Sequence, residues 1–423
     1  MPDSFVRSFH NLYYLNMSRN HIQGRLTLLG VPSVEVVDLS FNDFHGKLPS
    51  LTYDMFPTIL DLSSNYFVGS LDNLLCSNGV SATRVLNLGN NHLSGVIPEC
   101  WDEWPSLEFI SVQNNNFSCE IPRTLGSIPY LQLLNMGGNK ITGRLPSSLL
   151  NLTKLEILQL SRNELTGSIP TWFGTKLSLL KILNLRANNF DGNIPHELCY
   201  LIHLQILDLA HNNLFGNIPR CFNNFSGRQD TYDTILGLVM LLDLSSNNFS
   251  GHIPNEITTL KMLKFFNLSR NQLTGRIPER IGDMKALESF DLSVNKLSGA
   301  LPMSLSRLNS LSSFNVSYNN LTGKIPIGTQ IQTLDESSFF GNKLCGAPLT
   351  QADGCVRVEE RANITQDQKE DGGEDWGFIV SVVLGFVTGF WIILGPLIVI
   401  TSWRIAYFRI LIKVRNMVFY WYA

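Results

Sequence analysis

The stretch Leu158-Gln-Leu-Ser-Arg-Asn163-Glu-Leu-Thr-Gly167-Ser-Ile-Pro170 recurs, with substitutions, through most of this 423-residue chain. Its frame is L-x-L-x-x-N-x-L-x-G-x-I-P, and most successive frame asparagines are 24 residues apart. These asparagines are Asn20, Asn42, Asn65, Asn91, Asn115, Asn139, Asn163, Asn188, Asn212, Asn247, Asn271, Asn295 and Asn319. One repeat cannot bury its own leucines, whereas stacked repeats share a continuous core. The period therefore predicts an α/β solenoid over residues 1–338.

Each repeat contains the signals of one solenoid coil. A segment such as Leu207-Asp-Leu209 alternates apolar and polar residues as a short strand does. Stacked, these segments form a leucine-rich-repeat superhelix with a parallel β-sheet on its concave face. The frame asparagine is expected to point inward and bond backbone groups of neighbouring coils. Gly167 permits a tight turn, and Ile169-Pro170 fixes an extended segment.

The spacing between Asn212 and Asn247 is 35 residues, longer than one period. The excess, residues 227–237, is polar at first and then apolar, and it predicts an insertion that loops out of the solenoid. Such insertions often carry binding function. A short passive linker is an equally good interpretation.

The seven cysteines favour an oxidising compartment, because their positions match between neighbouring repeats. Cys76 and Cys100 follow their frame asparagines by 11 and 9 residues, and Cys199 and Cys221 have the same two offsets. Each pair is therefore expected to lie side by side and form a disulfide. Cys345 and Cys355 are a third predicted pair. Cys119 is left over at the glycine position of its repeat and is interpreted as a small buried thiol.

Nine N-x-[ST] sequons point to a secreted ectodomain, although the repeat frame itself tends to generate them. Roughly half are expected to carry glycan, with Asn363 the safest. The candidate glycosylation sites are Asn16, Asn116, Asn151, Asn224, Asn248, Asn267, Asn315, Asn320 and Asn363.

The chain beyond the repeats predicts a membrane anchor. Residues 339–355 form a cysteine-containing cap, and residues 356–376 an acid-rich juxtamembrane spacer. Residues 377–403 carry no charge and are long enough for one transmembrane helix. The tail, residues 404–423, has four basic residues and no acid. This asymmetry predicts a single-pass protein whose N-terminus is extracellular and whose C-terminus is cytoplasmic.

The first residues show neither a signal-peptide pattern nor a polar cap for the solenoid. The chain is therefore expected to be N-terminally truncated, with Leu12, Leu15 and Leu26 of the first repeat exposed.

No enzyme constellation is present in the sequence. The eight histidines lack metal-ligand spacing, there is no phosphate-binding glycine loop, and the tail is too short for a kinase. We therefore expect no catalytic activity, cofactor or metal, and the net charge of −3 argues against a nucleic-acid partner. Asp208, Asp243 and Asp291 share one repeat position and are interpreted as a structural column.

The predicted concave face is the candidate binding site. Its middle repeats have varied polar side chains at outward positions, which favours ligand binding over a merely solvated face. The candidate residues are Arg84, Glu108, Gln113, Glu156, Arg162, Lys181, Arg186 and His211. Two residues before the frame asparagine, the last four repeats all have serine (Ser245, Ser269, Ser293 and Ser317), which suggests scaffold or a partner-docking surface. Gly385 and Gly389 form a G-x-x-x-G motif in the span, a candidate contact with a partner helix.

The L-x-x-L-x-x-L-x-L-x-x-N-x-L-x-G-x-I-P repeat resembles the plant-type leucine-rich repeat. The segment Tyr232-Asp-Thr-Ile-Leu-Gly-Leu-Val239, the cap Asn342-Lys-Leu-Cys-Gly-Ala-Pro-Leu349 and the tail start Ser402-Trp-Arg-Ile-Ala-Tyr-Phe408 resemble plant receptor-like proteins. The resemblance is to the fungal-xylanase (ethylene-inducing xylanase) receptor group.

This resemblance implies a plasma-membrane receptor without its own kinase. Such a receptor binds an extracellular, pathogen-derived protein or peptide and signals in plant defence through a partner receptor kinase. A developmental peptide receptor of the same architecture and a nonfunctional truncated copy remain alternatives. A soluble wall-associated inhibitor of polysaccharide-degrading enzymes would use similar repeats, but the apolar span argues against it.

Overall fold

The computed structural model describes residues 12–26, 34–50, 57–76, 79–226, 240–328 and 330–349. A sheet of thirteen parallel strands, here called the long sheet, runs through these residues, with one strand from each repeat. Numbered in chain order with the strands described below, its members are β1 Tyr14–Asn16, β3 Val36–Asp38, β5 Ile59–Asp61, β7 Val85–Asn87, β9 Phe109–Ser111, β11 Leu133–Asn135, β12 Ile157–Gln159, β14 Ile182–Asn184, β16 Ile206–Asp208, β18 Leu241–Asp243, β20 Phe265–Asn267, β22 Ser289–Asp291 and β24 Ser313–Asn315. Each strand pairs with the next repeat's strand, which confirms the predicted parallel solenoid.

A second row of short strands follows the frame asparagines and forms three further parallel sheets. The first contains β2 Gln23–Arg25, β4 Asp43–Lys47, β6 Tyr66–Gly69, β8 His92–Gly95 and β10 Asn116–Phe117. The second contains β13 Thr166–Ser168, β15 Asn189–Gly192, β17 Asn213–Asn217 and β19 Asn248–Ser250. The third contains β21 Thr274–Gly275, β23 Lys296–Gly299, β25 Asn320–Lys324 and β26 Lys343–Cys345. The row is thus broken twice, between β10 and β13 and between β19 and β21.

Short helical turns return the chain from the second row to the long sheet. Two are α-helical, α1 Asp72–Leu75 and α2 Trp172–Lys176. The others are 3₁₀ helices at Trp101–Glu103, Arg123–Ser127, Ser147–Asn151, His196–Tyr200, Arg220–Ser226, Asn255–Thr259, Ile281–Asp283, Met303–Arg307, Ile331–Thr333 and Glu336–Phe339. Several begin directly after the proline of Ile-Pro, whose fixed φ and missing N–H suit the residue before a helix's first turn.

The core is one continuous stack of frame leucines and aromatic residues between the long sheet and the helical turns. Four phenylalanines of successive coils stack near its C-terminal end. Their ring centroids are 5.4 Å apart for Phe266 and Phe290, and 5.8 Å for Phe290 and Phe314 and for Phe314 and Phe339. Burial of such rings supplies the hydrophobic stabilisation that a single repeat lacks.

The frame asparagines form the predicted ladder. The Asn163 amide nitrogen donates to the carbonyl of Met136 in the preceding coil at 3.0 Å, and its oxygen accepts from the Ile141 N–H at 2.9 Å. The ladder extends one coil beyond the predicted frame, because Asn342 donates to the Val316 carbonyl at 2.9 Å. Strand β26 also pairs with β25, so the first part of the predicted cap at 339–355 is a further coil.

The coils on either side of the predicted insertion stack directly. Strand β16 pairs with β18, and Asn247 donates to the Leu209 carbonyl at 3.0 Å across the 35-residue interval. The insertion itself, residues 227–237, lies outside the described residues.

Two of the predicted disulfides are present. Cys76 and Cys100 are joined with Cα atoms 5.4 Å apart, and Cys199 and Cys221 with Cα atoms 5.8 Å apart. Cys345 is disulfide-bonded, but Cys355 lies outside the described residues, so their pairing stays a prediction. Cys119 is free and half-buried rather than fully buried. Its sulfur accepts from the Ile97 N–H at 3.4 Å, and burial raises the pKa of its thiol.

The expectation that the first repeat exposes its leucines is wrong for Leu26, which is only 3% exposed. Leu12 and Leu15 are half-buried against the core. Among the described residues, no helix has the length and apolar character needed to cross a membrane. The predicted spacer, span and tail, residues 356–423, lie outside the described part of the chain.

Candidate ligand-binding surface

The solvent side of the long sheet, here called the sheet face, is the surface predicted to be concave. Along each strand the middle residue points into the core, and the residues on either side point outward. Leu183 of β14 is fully buried, for example, whereas Ile182 and Asn184 are partly exposed. Because neighbouring parallel strands lie about 4.8 Å apart, equivalent residues of successive repeats form regular columns across this face.

The charged candidates at the residue before each strand pair with one another. Arg84 forms an ion pair with Glu108 in the next coil, with a nitrogen–oxygen distance of 2.6 Å. Glu156 and Lys181 form the equivalent pair at 2.5 Å. Exposed pairs of this kind contribute about 0–1 kcal/mol to stability. The charges of these candidate residues therefore compensate each other on the free surface.

Arg186 has a different environment, because it lies above two carboxylates. Its guanidinium nitrogen is 2.9 Å from Asp243 Oδ2 and 3.7 Å from Asp208 Oδ2. The two aspartates face each other in register on β16 and β18. Each also accepts a backbone N–H, from Ala210 at 3.1 Å and from Ser245 at 2.9 Å. We call Arg186, Asp208 and Asp243 the Arg186 triad.

Electrostatics within the triad are unbalanced, since one guanidinium faces two carboxylates. Burial, followed by the charge of Asp243, raises the pKa of Asp208 to about 6. The hydrogen bond with Ala210 and the nearby Arg186 oppose this shift. At neutral pH the triad therefore carries a net negative charge in the middle of the sheet face. A cationic group of a ligand would complement it.

The sequence analysis assigned Asp208 and Asp243 to a structural column and did not include them among the binding candidates. The structural role is present, since both accept backbone hydrogen bonds. Their second role arises because an arginine occupies the outward position of the preceding coil. That signal is visible in the sequence, because Arg186 occupies a position that is serine in the preceding repeat (Ser161) and alanine in the next one (Ala210).

Arg162 and His211 lie at the turn directly after the outward columns. Both have left-handed backbone conformations, with φ values of 55°. Long side chains are uncommon there, because a Cβ atom crowds this conformation. The same conformation recurs in twelve non-glycine residues, so it belongs to the coil rather than to these two positions alone. Both side chains are exposed. Arg162 is in the coil before Arg186, and His211 follows Asp208 by three residues.

Gln113 lies between glycines at the equivalent positions 89 and 137 of the neighbouring coils. Its side-chain oxygen accepts a hydrogen bond from Asn135 at 2.6 Å. A Cβ atom at Gly89 would come within 2.9 Å of the Gln113 side chain, so the small neighbour makes room for this long residue. The amide of Gln113 is thereby held along the face.

The serine column of the last repeats is nearly buried. Ser245, Ser269, Ser293 and Ser317 are 3–7% exposed, and their N–H groups donate to the preceding aspartate or asparagine. The exposed groups of this region are instead neighbouring side chains, namely Phe265 at 44%, Val294 at 38% and Tyr318 at 62%. We call these three side chains the C-terminal apolar patch, a candidate docking surface on the last repeats.

The sequons fall into two structural classes. Asn116, Asn151, Asn248 and Asn320 are exposed, outside the long sheet. Asn267 and Asn315 end strands of the long sheet, are half-buried, and accept backbone N–H groups at 3.0 Å. Asn16 lies in the same column and donates to Asp38 at 3.1 Å. The Asn224 side chain and Asn363 lie outside the described part, and glycosylation of all nine stays a prediction.

Within the described residues, no group of three histidine, cysteine, aspartate or glutamate side chains could hold a metal ion. The site offers hydrogen bonds, one charged triad and flanking apolar side chains. These features suit binding of a peptide or protein surface.

The fold and its repeating sheet face define a leucine-rich-repeat protein. A leucine-rich-repeat family model matches residues 153–214, and a related single-repeat model matches 83–104, 130–152, 239–260, 262–284 and 286–308.

The chain is similar in sequence to receptor-like protein EIX2 of Solanum lycopersicum, with 44% identity over 92 residues, 21% of this chain. It is 40% identical over 90 residues to receptor-like protein EIX1 of the same plant. These matches confirm the resemblance to plant receptor-like proteins of the EIX group. The matched stretch spans only 9% of the length of each of these relatives.

The fold is also similar to solved receptor ectodomains. It aligns with the plant peptide hormone receptor RGFR1 in complex with RGF2 at a TM-score of 0.67 and 28% identity, over 82% of this chain and 58% of that one. It aligns with the Arabidopsis receptor kinase HAESA, in complex with the peptide hormone IDA and the co-receptor SERK1, at a TM-score of 0.65 and 26% identity, over 83% and 64% of the two chains.

Proposed function

We propose that this chain is a non-enzymatic, cell-surface receptor that binds an extracellular protein or peptide on the sheet face. The observation that carries the proposal is the Arg186 triad, a partly buried and unbalanced charge cluster in the middle of the varied repeats. Arg162 and His211 extend it with exposed polar groups. The similarity to receptor-like proteins supports a receptor role over a structural one.

The anchor and the signalling partner are parts of the same proposal. A single apolar span at 377–403 would hold the receptor in the plasma membrane, with the repeats outside. In this proposal a partner receptor kinase supplies the catalytic step, by analogy with receptor-like proteins. It would contact the C-terminal apolar patch and the span glycines, Gly385 and Gly389. Plant defence is the proposed setting, by analogy with the EIX group.

The second candidate function is a developmental peptide receptor. The solved ectodomains similar in fold include RGFR1 and HAESA, both in complex with peptide hormones, which favours a peptide-sized ligand. Both candidates use the same face, so they differ in the ligand and not in the site.

The proposal is tested by ligand binding to the purified full-length chain in detergent micelles. The first probe is an ethylene-inducing fungal xylanase, and a library of secreted plant peptides is the second. The variant Arg162→Gln with His211→Gln removes exposed groups without disturbing the core, and it should weaken binding about tenfold. Xylanase binding favours the defence receptor, whereas binding of a plant peptide alone favours the developmental one.

The matched control is Arg270→Gln. Arg270 has the same turn position and the same φ of 55°, but it lies in the last repeats. It should leave ligand affinity unchanged. Equal loss of ligand affinity in both variants, or in neither, would contradict a ligand site on the middle repeats.

A further inference from the structure

The second row of strands carries two grooves, and each lies at a break in that row. The larger has a volume of about 1170 Å³ and lies around the break between β19 and β21. Its lining residues come from successive coils, the first being Asn193 and the last Ser298. At that break the regular strand pairing is replaced by an isolated bridge between His252 and Thr274, although the Gln272 and Thr274 N–H groups still donate to the Phe249 and Gly251 carbonyls. The smaller, of about 640 Å³, lies at the break between β10 and β13. We call the larger one the lateral groove. It does not share residues with the sheet face described above.

The lateral groove is rich in cationic and amide groups. Arg220, Arg276, His196 and His252 line it, and Glu256 is the one acidic residue among its lining residues. Neither arginine forms an ion pair with another described residue, and both side chains are exposed. Unpaired guanidinium groups along a groove recognise carboxylate, sulfate or phosphate oxygens by charge-assisted hydrogen bonds.

The cationic walls are held in place by covalent and packing constraints. His196 and Arg220 are the first residues of adjacent 3₁₀ helices, and the Cys199–Cys221 disulfide joins these two helices. The disulfide restricts the motion of both helices in the free protein, so that less conformational entropy is lost on binding. The groove is therefore a preorganised surface, although its residues lie on short turns.

The floor of the groove is a regular array. At the residue after each frame glycine, Asn193, Asn217, His252 and Arg276 follow one another in successive coils. Each side chain lies against the glycine of the next coil. A Cβ atom there would meet Asn193 at 2.2 Å, Asn217 at 2.3 Å and the His252 ring at 2.1 Å. The positive-φ glycines thus leave the space that these polar side chains occupy.

We propose that the lateral groove binds an acidic oligosaccharide, an extended sugar chain that carries carboxylate or sulfate groups. A polymer with repeating units fits an array whose side chains repeat at about 4.8 Å between coils, whereas a peptide of mixed sequence does not. The amides of Asn193 and Asn217 can donate to and accept from sugar hydroxyls, and the arginines bind the acidic groups.

The test measures binding of defined probes to the purified full-length chain in detergent micelles by isothermal titration calorimetry. The probes are an oligomer of galacturonic acid, a sulfated oligosaccharide, a neutral galactose oligomer of the same length, and poly-L-glutamate. One or both acidic sugars should bind, with an affinity that falls as salt is added, and the neutral oligomer should not. The stronger acidic sugar identifies carboxylate or sulfate as the preferred group.

The chain offers a matched pair of variants. Arg220→Gln with Arg276→Gln should weaken acidic-sugar binding about tenfold or more. Arg123→Gln with Arg144→Gln removes arginines from the same two repeat positions in the smaller groove and should leave binding unchanged. All four side chains are at the surface, and melting curves of both variants should match the parent. Ligand binding on the sheet face should be unaffected, so the two sites are tested separately.

Three results would overturn the inference. If poly-L-glutamate binds as tightly as the acidic sugars, the groove takes acidic peptides instead. An equal loss in both double variants would mean that charge alone, without a site, attracts the probe. Absence of binding by either acidic sugar would reject the groove as a carbohydrate site.

Discussion

At the scale of single residues, Asp208 links the fold to the chemistry of the sheet face. Its carboxyl accepts a backbone N–H, as do most strand-end residues of its column, yet it shares one arginine with Asp243. The same side chain therefore holds the coil together and sets the local charge. Burial of a carboxylate normally costs stability unless it is fully paired. Because Asp208 and Asp243 share one arginine, the charge of Asp208 is incompletely paired and should destabilise the folded state.

Replacing Asp208 with asparagine should stabilise the protein at neutral pH. The folded-state pKa of Asp208 is raised from 3.8 to about 6, so the folded state binds this proton more tightly than the unfolded state. The associated stabilisation is complete below the unfolded pKa and is lost as pH rises through about 6. Asp208→Asn removes that loss and should gain roughly 3 kcal/mol at most near pH 7.5. Thermal melts from pH 4 to 8 measure it.

Asp291→Asn is the control for this prediction. Asp291 lies in the same column and accepts the Ser293 N–H at 2.8 Å, but no arginine of the triad faces it. Its substitution should leave the difference in melting temperature between pH 4 and 7.5 as in the parent. If Asp208→Asn melts lower than the parent at pH 7.5, the proton linkage assigned to Asp208 is wrong.

At the scale of the coil, the asparagine ladder is the element that fixes each turn to its neighbours. Asn163 is 8% exposed and makes four hydrogen bonds, to the Met136, Leu160 and Ser161 carbonyls and from the Ile141 N–H. Two of these cross to the preceding coil. The ladder thus satisfies backbone groups that the short strands leave without partners, as buried backbone groups require.

Asn163→Ala should therefore destabilise the solenoid by about 2–4 kcal/mol, because several buried backbone groups lose their partner. Asn20→Ala is the matched comparison. Asn20 is exposed, and its amide donates to the Met17 and Ser18 carbonyls of its own coil. Its loss should cost less than about 1 kcal/mol. Chemical denaturation followed by circular dichroism compares the two, and an equal loss would show that the cross-coil bonds add nothing.

Much of the coil could be predicted from the sequence, because the frame specifies local geometry. The alternation around Leu207 gave the strand, and the period placed Cys76 beside Cys100. The two breaks in the second row could not be predicted, since the frame continues through them. Ile141-Thr-Gly143, for example, forms no strand although it matches Leu165-Thr-Gly167 of the next repeat. The position of the lateral groove follows from one of those breaks. It is therefore a property of the stacked coils and not of any one repeat.

The binding surface was predicted less well, for a physical reason. The charged residues Arg84, Glu108, Glu156 and Lys181 were identified one at a time, but stacking places opposite charges together and compensates them. The pKa of Asp208 depends on how much of its carboxyl the neighbouring coils bury. Likewise, the serine column is nearly buried, which its position in a single repeat does not reveal. Such effects require the register of several repeats at once.

At the scale of the whole molecule, the proposals give separate roles to the long sheet, the lateral groove and the span. The sheet face would select a ligand, and the C-terminal apolar patch would lie towards the membrane end of the chain. In the proposed topology, residues 356–376 would link the repeats to the span at 377–403. A partner kinase that contacts both the patch and the span would be held by two weak interactions. Linked interactions of this kind gain affinity through effective concentration.

The last prediction concerns the span, whose residues 377–403 lie outside the described part of the chain. Gly385 and Gly389 are four residues apart and share one face of an α-helix, where small residues let a second helix approach closely. Leucine at both positions should prevent this approach and abolish co-purification with the partner receptor kinase. Because leucine is more apolar than glycine, membrane insertion and surface expression should be retained.

Gly395→Leu is the control for the span, since position 395 lies roughly 100° around the helix from the Gly385–Gly389 face. This variant should still recover the kinase at the parent level. If the double variant also recovers it at that level, the span is only an anchor, and contact must depend on Phe265, Val294 and Tyr318 of the C-terminal apolar patch. Replacing these three side chains with serine would then abolish recovery, because their exposed apolar area is the remaining source of binding free energy.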